Sequence, residues 1–385
     1  MNLRPIILIL LAATAVGACS REAAGPPTRS PRASTSATFT ATASPVAPPA
    51  QSTPLPRVSP SVAATPASFR DAVAGTDKRV GAAVQTRPLG DEAAYRATLL
   101  AQFDLVVAEY EMKWSTIHPG RTQFDFRRGD QIVQFAEANG MAIRGHTLVW
   151  HNALPSWLES GAFTKDQLSD ILRDHIYNVV GHYKGRVFAW DVVNEALKPD
   201  GSYRDTLWLR TIGPDYIAMA FRWAHEADPG AKLYYNDFDG EGSGAKSDGI
   251  YRLVEGLRAG GVPIDGVGLQ GHFVNGAVPQ PAAIAANMAR LGAIGLDVQI
   301  TELDIGIQPV PPTAEQLARQ AVSYRDVAAV CMSAPNCKAL LFWGFTDKWS
   351  WIPGNRPGFG SALPFDEEYK PKPAFYALLD AFRRR

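Results

Sequence analysis

Two glutamates close apolar runs in this chain: Glu195 in WDVVNEA at 190–196 and Glu302 in ITELD at 300–304. If both strings are strand ends that converge on one cleft, their carboxyl groups could split a glycosidic bond. One would attack the anomeric carbon while the other protonates the departing oxygen, and a spacing of about 5 to 5.5 Å would give retention. Further polar and aromatic residues follow other apolar runs: Lys113, then His146 and Trp150, then Asn194, then Asn236 and Asp237. Gln270 and His272, Asp304, and Trp343 complete the series.

Positioning such a set requires many parallel strands ending on one side. Short β-branched or aromatic runs predict strands at 79–84, 104–109, 142–147, 187–193, 231–235, 266–270, 297–301 and 339–343. Amphipathic stretches between them predict helices at 93–102, 129–139, 166–182, 215–227, 246–259, 280–291 and 314–331, with a last helix at 373–382. Strict alternation implies a parallel sheet, and runs as continuously apolar as VFAWDVV and ALLFWGF suit strands covered on both faces. The expected fold class is α/β, a single (β/α)₈ barrel, with an open doubly wound sheet as the alternative. No glycine-rich phosphate fingerprint follows the first strand, which weakens the dinucleotide-binding version of that alternative.

The N-terminus reads differently. Arg4, the apolar stretch from Ile6 to Val16 and Gly17-Ala18-Cys19 have the layout of a lipoprotein signal over residues 1–18, with Cys19 as the acylated first residue. An ordinary cleaved signal, and hence a secreted protein, is the alternative. The apolar stretch is too short to span a bilayer, so the only expected membrane contact is a lipid anchor at the outer membrane or cell surface. Residues 19–66 are rich in Pro, Ser, Thr and Ala and carry too few large apolar side chains to build a core, so a disordered linker is expected. Residues 67–385 are then one domain, and a monomer is expected.

The whole chain has 38 basic and 38 acidic residues. Five arginines and one glutamate lie in the first 60 residues, which leaves the domain 33 basic against 37 acidic residues. That balance argues against nucleic acid as a partner and suits a neutral polymer. With Cys19 assigned to the lipid, Cys331 and Cys337 remain as a local disulfide, and the cysteines lack the paired ligands of a metal site.

Seven strings in order make residues 78–382 resemble the retaining endo-β-1,4-xylanases of glycoside hydrolase family 10: EYEMKW at 109–114, RGHTLVWH at 144–151, WDVVNEA, YYNDF at 234–238, GVGLQGH at 266–272, ITELD, and WGFTDKWSW at 343–351. The resemblance implies that Glu302 is the nucleophile, Glu195 the acid and then the base, and Asn194 the donor to the 2-hydroxyl of the attacked sugar. It places His272 on the nucleophile and Asp304 behind His272. Glu109, Lys113, His146, Asn236 and Gln270 would bind sugar, with Trp150, Trp343 and Trp351 as apolar walls, since sugar C–H faces pack on indoles. Trp351 would also crowd the space of a hexose hydroxymethyl group, which favours xylose. Trp114, Trp190 and Trp223 are read as packing, and Trp349 stays undecided. The implied substrate is xylan or xylo-oligosaccharide, and no cofactor or metal is implied because carboxylates and water suffice.

The chain departs from the family pattern at two places. Tyr110 stands where asparagine is expected and Ala153 where glutamine is expected, both at the −2 subsite. Tyr110 is therefore expected to bind substrate, its ring filling the space freed at Ala153 and substituting stacking for polar contacts. The alternatives are a related retaining β-1,4-glycanase with altered −2 specificity and a non-catalytic carbohydrate-binding lipoprotein.

Overall fold

The computed structural model describes residues 68–383. The signal at 1–18, Cys19 and the linker at 19–66 lie outside the described residues.

Nine strands run in parallel: β1 (Arg79–Val84), β2 (Leu105–Ala108), β3 (Ala142–Val149), β4 (Ala189–Asn194), β5 (Lys232–Asp237), β6 (Gly266–Leu269), β7 (His272–Val274), β8 (Asp297–Gly306) and β9 (Cys337–Phe342). Eight of them close a barrel, because β1 pairs with both β2 and β9 while β6 pairs with β8. The ninth, β7, is a three-residue continuation that pairs only with the end of β8, setting His272 opposite Asp304. Sequence reading placed His272 simply after strand six, since three residues are too few for a strand period to show. The eight barrel strands match those expected to within a few residues. Their inward and outward faces are both buried, which is why they read as unbroken apolar runs.

Helices cover the outside. The long ones start where the sequence supplies caps: Thr164 with Gln167 and Thr313 with Gln316 form capping boxes, and Pro281 opens the helix Pro281–Ala293. Short helices at Phe69–Val73, Thr86–Asp91, Trp114–Ile117, Ser156–Glu159, Leu207–Thr211 and Ile352–Asn355 were not legible, because four to six residues cannot establish a 3.6-residue period. Phe69, on the first of these, packs on Phe103, Phe342, Phe375 and Phe382, so it ties the start of the domain to its last helix. Cys331 and Cys337 form the expected disulfide, with Cα atoms 5.3 Å apart, between the helix Ala314–Ser333 and β9.

The barrel axis is not purely apolar. One interior cluster contains Ala83, Leu105, Val107, Ala339 and Leu341 beneath Trp343. Beside it runs a buried polar layer in which Arg144 donates to Gln299 at 2.9 Å and forms an ion pair with Asp191. Asp191 also meets His146 Nδ1 at 3.0 Å. Such a buried pair is retained only where its charges are matched, because each alone would be costly.

Trp114 and Trp190 are core residues, as expected, and Trp223 packs on the core from a half-buried position. Trp190 fits only because its neighbour on β3 is Gly145, where an added Cβ would lie 2.2 Å from the indole ring. Gly145→Ala is therefore expected to lower stability by about 1–3 kcal/mol through overpacking. Urea unfolding measures this, and an unchanged midpoint would contradict the packing.

Candidate active site

Glu302 sits midway along β8, 4% exposed. One carboxylate oxygen accepts Asn236 Nδ2 at 2.7 Å and the other meets His272 Nε2 at 3.1 Å. His272 Nδ1 lies 2.9 Å from Asp304 Oδ2. With a carboxylate against each ring nitrogen, both nitrogens must donate, so the imidazole is held as the cation. Burial works against that charge, but Asp304 and Glu302 outweigh it and push His272 up to about 10. Burial likewise opposes charge on Glu302; the His272 bond, nearby His146 and the Asn236 amide overcome it and hold Glu302 at about 2. Glu302 is therefore ionised throughout the ordinary pH range.

Asn236 is positioned in turn. Its amide oxygen accepts the Thr301 hydroxyl at 2.7 Å, and its Nδ2 also donates to Asn194 Oδ1 at 2.8 Å. Room for this amide comes from Gly268 on β6, where a Cβ would meet Asn236 Oδ1 at 2.2 Å.

Glu195 is built differently. It follows β4 in a left-handed turn, φ 57°, which costs a non-glycine residue about 1–3 kcal/mol and persists only where its surroundings enforce it. Its N–H donates to Asn236 O at 2.9 Å, and its carbonyl accepts Arg204 Nε at 3.0 Å. The next N–H, of Ala196, donates to the Tyr235 hydroxyl at 3.1 Å, which is itself bonded to Asp237. Oε1 of Glu195 accepts Asn194 Nδ2 at 3.2 Å and Gln270 Nε2 at 3.1 Å. Since Gln270 and Asn236 both donate to Asn194 Oδ1, one chain of amides joins Glu195 to Glu302.

Both glutamates line a cleft of about 560 Å³. Its walls include Trp150, Trp343 and Trp351, and Lys113 Nζ lies 4.9 Å from the Trp150 ring centre and 5.7 Å from that of Trp343. Burial lowers the Lys113 ammonium, while Glu302, Glu109 and Glu195 oppose the fall. His146 lines the same cleft edge-on to Trp343, at 5.1 Å between ring centres. Tyr110 and Ala153 also face this cleft, and the exposed Tyr110 ring lies 5.1 Å from the Lys113 ammonium. Trp349 lies behind, under the Arg87 guanidinium.

Glu109 and Asn236, expected to touch sugar, are not among the residues that line the cleft. Glu109 accepts Gln85 Nε2 at 2.9 Å and is pushed up to about 7 by burial. Asn236 donates to Asn194 and to Glu302. Asp191, Thr301, Arg204 and Tyr235 support the site without having been singled out. A lone acid inside VFAWDVV was the available signal for Asp191.

Among the described residues, His146, Asp191 and Glu302 place three potential metal-ligand atoms within 4.8 Å of one another. The Arg144 cation already contacts Asp191 and the Asn236 amide donates to Glu302, so these carboxylates already have donors from the protein itself. A larger groove of about 820 Å³ lies at the opposite end of β8, beside Asp297. It is lined chiefly by alanine, proline and glycine, and its Asp326 is paired with Arg325, so it carries no comparable chemistry.

A closed parallel barrel whose strand ends bring two glutamates, their amide partners and three tryptophans to one cleft defines a glycoside hydrolase. Residues 68–381 match the model of glycosyl hydrolase family 10, and the chain belongs to that family. It is 43% identical over 297 residues to endo-1,4-beta-xylanase B of Thermotoga neapolitana, covering 77% of this chain and 86% of that protein. Xylanase 10B from Thermotoga petrophila RKU-1, solved in complex with xylobiose, superposes with a TM-score of 0.80 at 42% identity over 82% of this chain and 97% of that one. A glycosylated endo-beta-1,4-xylanase from Gloeophyllum trabeum gives 0.78 at 38% identity, with coverages of 82% and 99%.

The charge on Glu302 depends on its neighbours, so replacing His272 must release it. In His272→Asn the Glu302 carboxyl is expected to rise from about 2, because burial is then opposed only by His146 and the Asn236 amide. Titration followed by carboxyl-¹³C glutamate NMR would show the resonance moving at higher pH in the variant than in the wild type; an unmoved resonance contradicts the assignment.

Proposed function

We propose that the chain is an endo-1,4-β-xylanase that cleaves internal bonds of xylan by double displacement. The observation that carries this reading is the pair Glu195 and Glu302, linked by amides at one tryptophan-walled cleft, in a chain of family 10.

Glu302 attacks the anomeric carbon as the bond to the leaving oxygen breaks, and the proton of Glu195 goes to that oxygen. The glycosyl unit is then an ester on Glu302. Water enters where the leaving chain departed, and Glu195 takes one of its protons. The hydroxide adds to the anomeric carbon, the ester bond breaks, and both glutamates return to their starting states. Asn194, between the two glutamates, is placed to donate to the 2-hydroxyl of the reacting sugar, a bond that strengthens as charge develops. Gln270, His146 and Lys113 offer polar contacts along the glycone side, and the three indoles offer faces for sugar C–H groups. Trp351 donates a hydrogen bond to Asp304, so swinging aside to admit a hydroxymethyl group would break that bond. That favours xylose over hexose.

At the −2 subsite, Tyr110 and Ala153 share the cleft where two amides were expected, which supports a stacking contact in place of hydrogen bonds. The lipobox at Cys19 supports export and anchoring to the cell envelope.

Wild-type protein is expected to release reducing sugar from xylan and little from cellulose or mannan, with Glu302→Ala lowering the rate by at least about three orders of magnitude. Faster hydrolysis of cellulose or mannan would overturn the substrate assignment, and full activity in Glu302→Ala would overturn the mechanism. Tyr110→Ala is expected to raise KM for short xylo-oligosaccharides about fivefold while leaving kcat nearly unchanged, as loss of a stacking contact does. Steady-state kinetics decide this, and unchanged KM contradicts the role given to Tyr110.

A further inference from the structure

We propose that Trp351 is a positioning residue for the nucleophile: its indole N–H fixes the carboxylate of Asp304, which holds His272 against Glu302. The proposal deepens the glycosidase reading above and rests on Glu302 being the nucleophile.

The chain of contacts is continuous. Trp351 Nε1 donates to Asp304 Oδ2 at 2.7 Å, the same oxygen takes His272 Nδ1 at 2.9 Å, and His272 Nε2 meets Glu302 Oε2 at 3.1 Å. Asp304 is fully buried, and its other oxygen, Oδ1, has no hydrogen-bond partner. Its orientation is therefore set by two donors on one oxygen. With the indole removed, only the His272 bond would define the rotation of the carboxylate, and the unpartnered oxygen would compete for the imidazole.

Trp351 is itself anchored well enough to serve as a reference point. Its carbonyl accepts both the backbone N–H of Asn355 at 3.2 Å and the Asn355 side chain at 3.1 Å. Its ring packs on interior and loop apolar clusters and lies 4.9 Å from the His272 ring, between centres. An apolar wall for a sugar needs a flat ring, which phenylalanine would provide. The N–H aimed at a buried carboxylate is what tryptophan adds, so the residue that meets the sugar also aligns the reacting carboxylate.

Trp351→Phe separates the two roles, because it keeps a ring at the wall and deletes the donor. On the substrate that the wild type cleaves, kcat is expected to fall about tenfold with KM within twofold. A wall role alone would raise KM and leave kcat in place, and that result would overturn the proposal. In an Asp304→Ala background the same Trp351→Phe change is expected to cost less than twofold in kcat, since the group through which it acts is gone; multiplicative losses would overturn the proposal. Should Asp304→Ala fail to fold, the His272 Nδ1–H proton resonance of the substrate-free protein gives an independent reading. It is expected to shift or broaden in Trp351→Phe, and an unmoved resonance contradicts the link. This spectroscopic test needs no substrate, so failure of the xylanase assignment would leave it standing.

Discussion

The Glu302 carboxylate, enclosed midway along β8, takes the Asn236 amide on one oxygen and the His272 imidazole on the other. An unpaired carboxylate buried there would take up a proton and cease to be a nucleophile. Much of the surrounding architecture follows from preventing that. Thr301 and the space left by Gly268 hold Asn236 in place, and Asp304 with Trp351 holds His272. Beneath them the Arg144, Asp191 and His146 layer brings His146 Nδ1 to 4.0 Å from Glu302 Oε1. The barrel is suited to this because parallel strands deliver side chains from β4, β5, β7 and β8 to the same level, where Trp351 joins them from the chain beyond β9.

The two glutamates are held by contrasting means. Glu302 lies within β8 where its ladder with β9 shifts register, its N–H donated to Gln270 O at 2.9 Å, and it is locked by charge. Glu195 lies just beyond its strand in a left-handed turn that Arg204, Tyr235 and Asn236 enforce. This division fits the two tasks proposed for them, a group that stays anionic and one that would give up a proton and later take one back. Asn194 and Gln270 touch Glu195 while Asn236 touches Glu302, so the spacing of the pair is set by amides rather than by opposing charges.

The barrel was legible because each strand reads as an apolar run and each run ends in a polar group, as in WDVVNEA and ITELD. That Glu195, Glu302, Asn194, His272 and Asp304 would meet at one place was legible for the same reason. Other features have no local signature. The left-handed turn at Glu195 carries no glycine to announce it, and β7 is too short to show a period. That Glu109 and Asn236 do not line the cleft depends on the packing of neighbouring strands and of Gln85, which no local run of sequence records. The bond from Trp351 to Asp304 spans 47 residues, and only the closed barrel brings its ends together.

Covalent attack by Glu302 with Glu195 acting first as acid and then as base leaves a stereochemical mark. Proton NMR of the anomeric signals during the first minutes of xylo-oligosaccharide hydrolysis reads it directly. The β-anomer is expected to appear first, followed by slow mutarotation to the equilibrium mixture. Initial release of the α-anomer would mean a single displacement by water, and would contradict the role assigned to Glu302 and to everything that holds it in place.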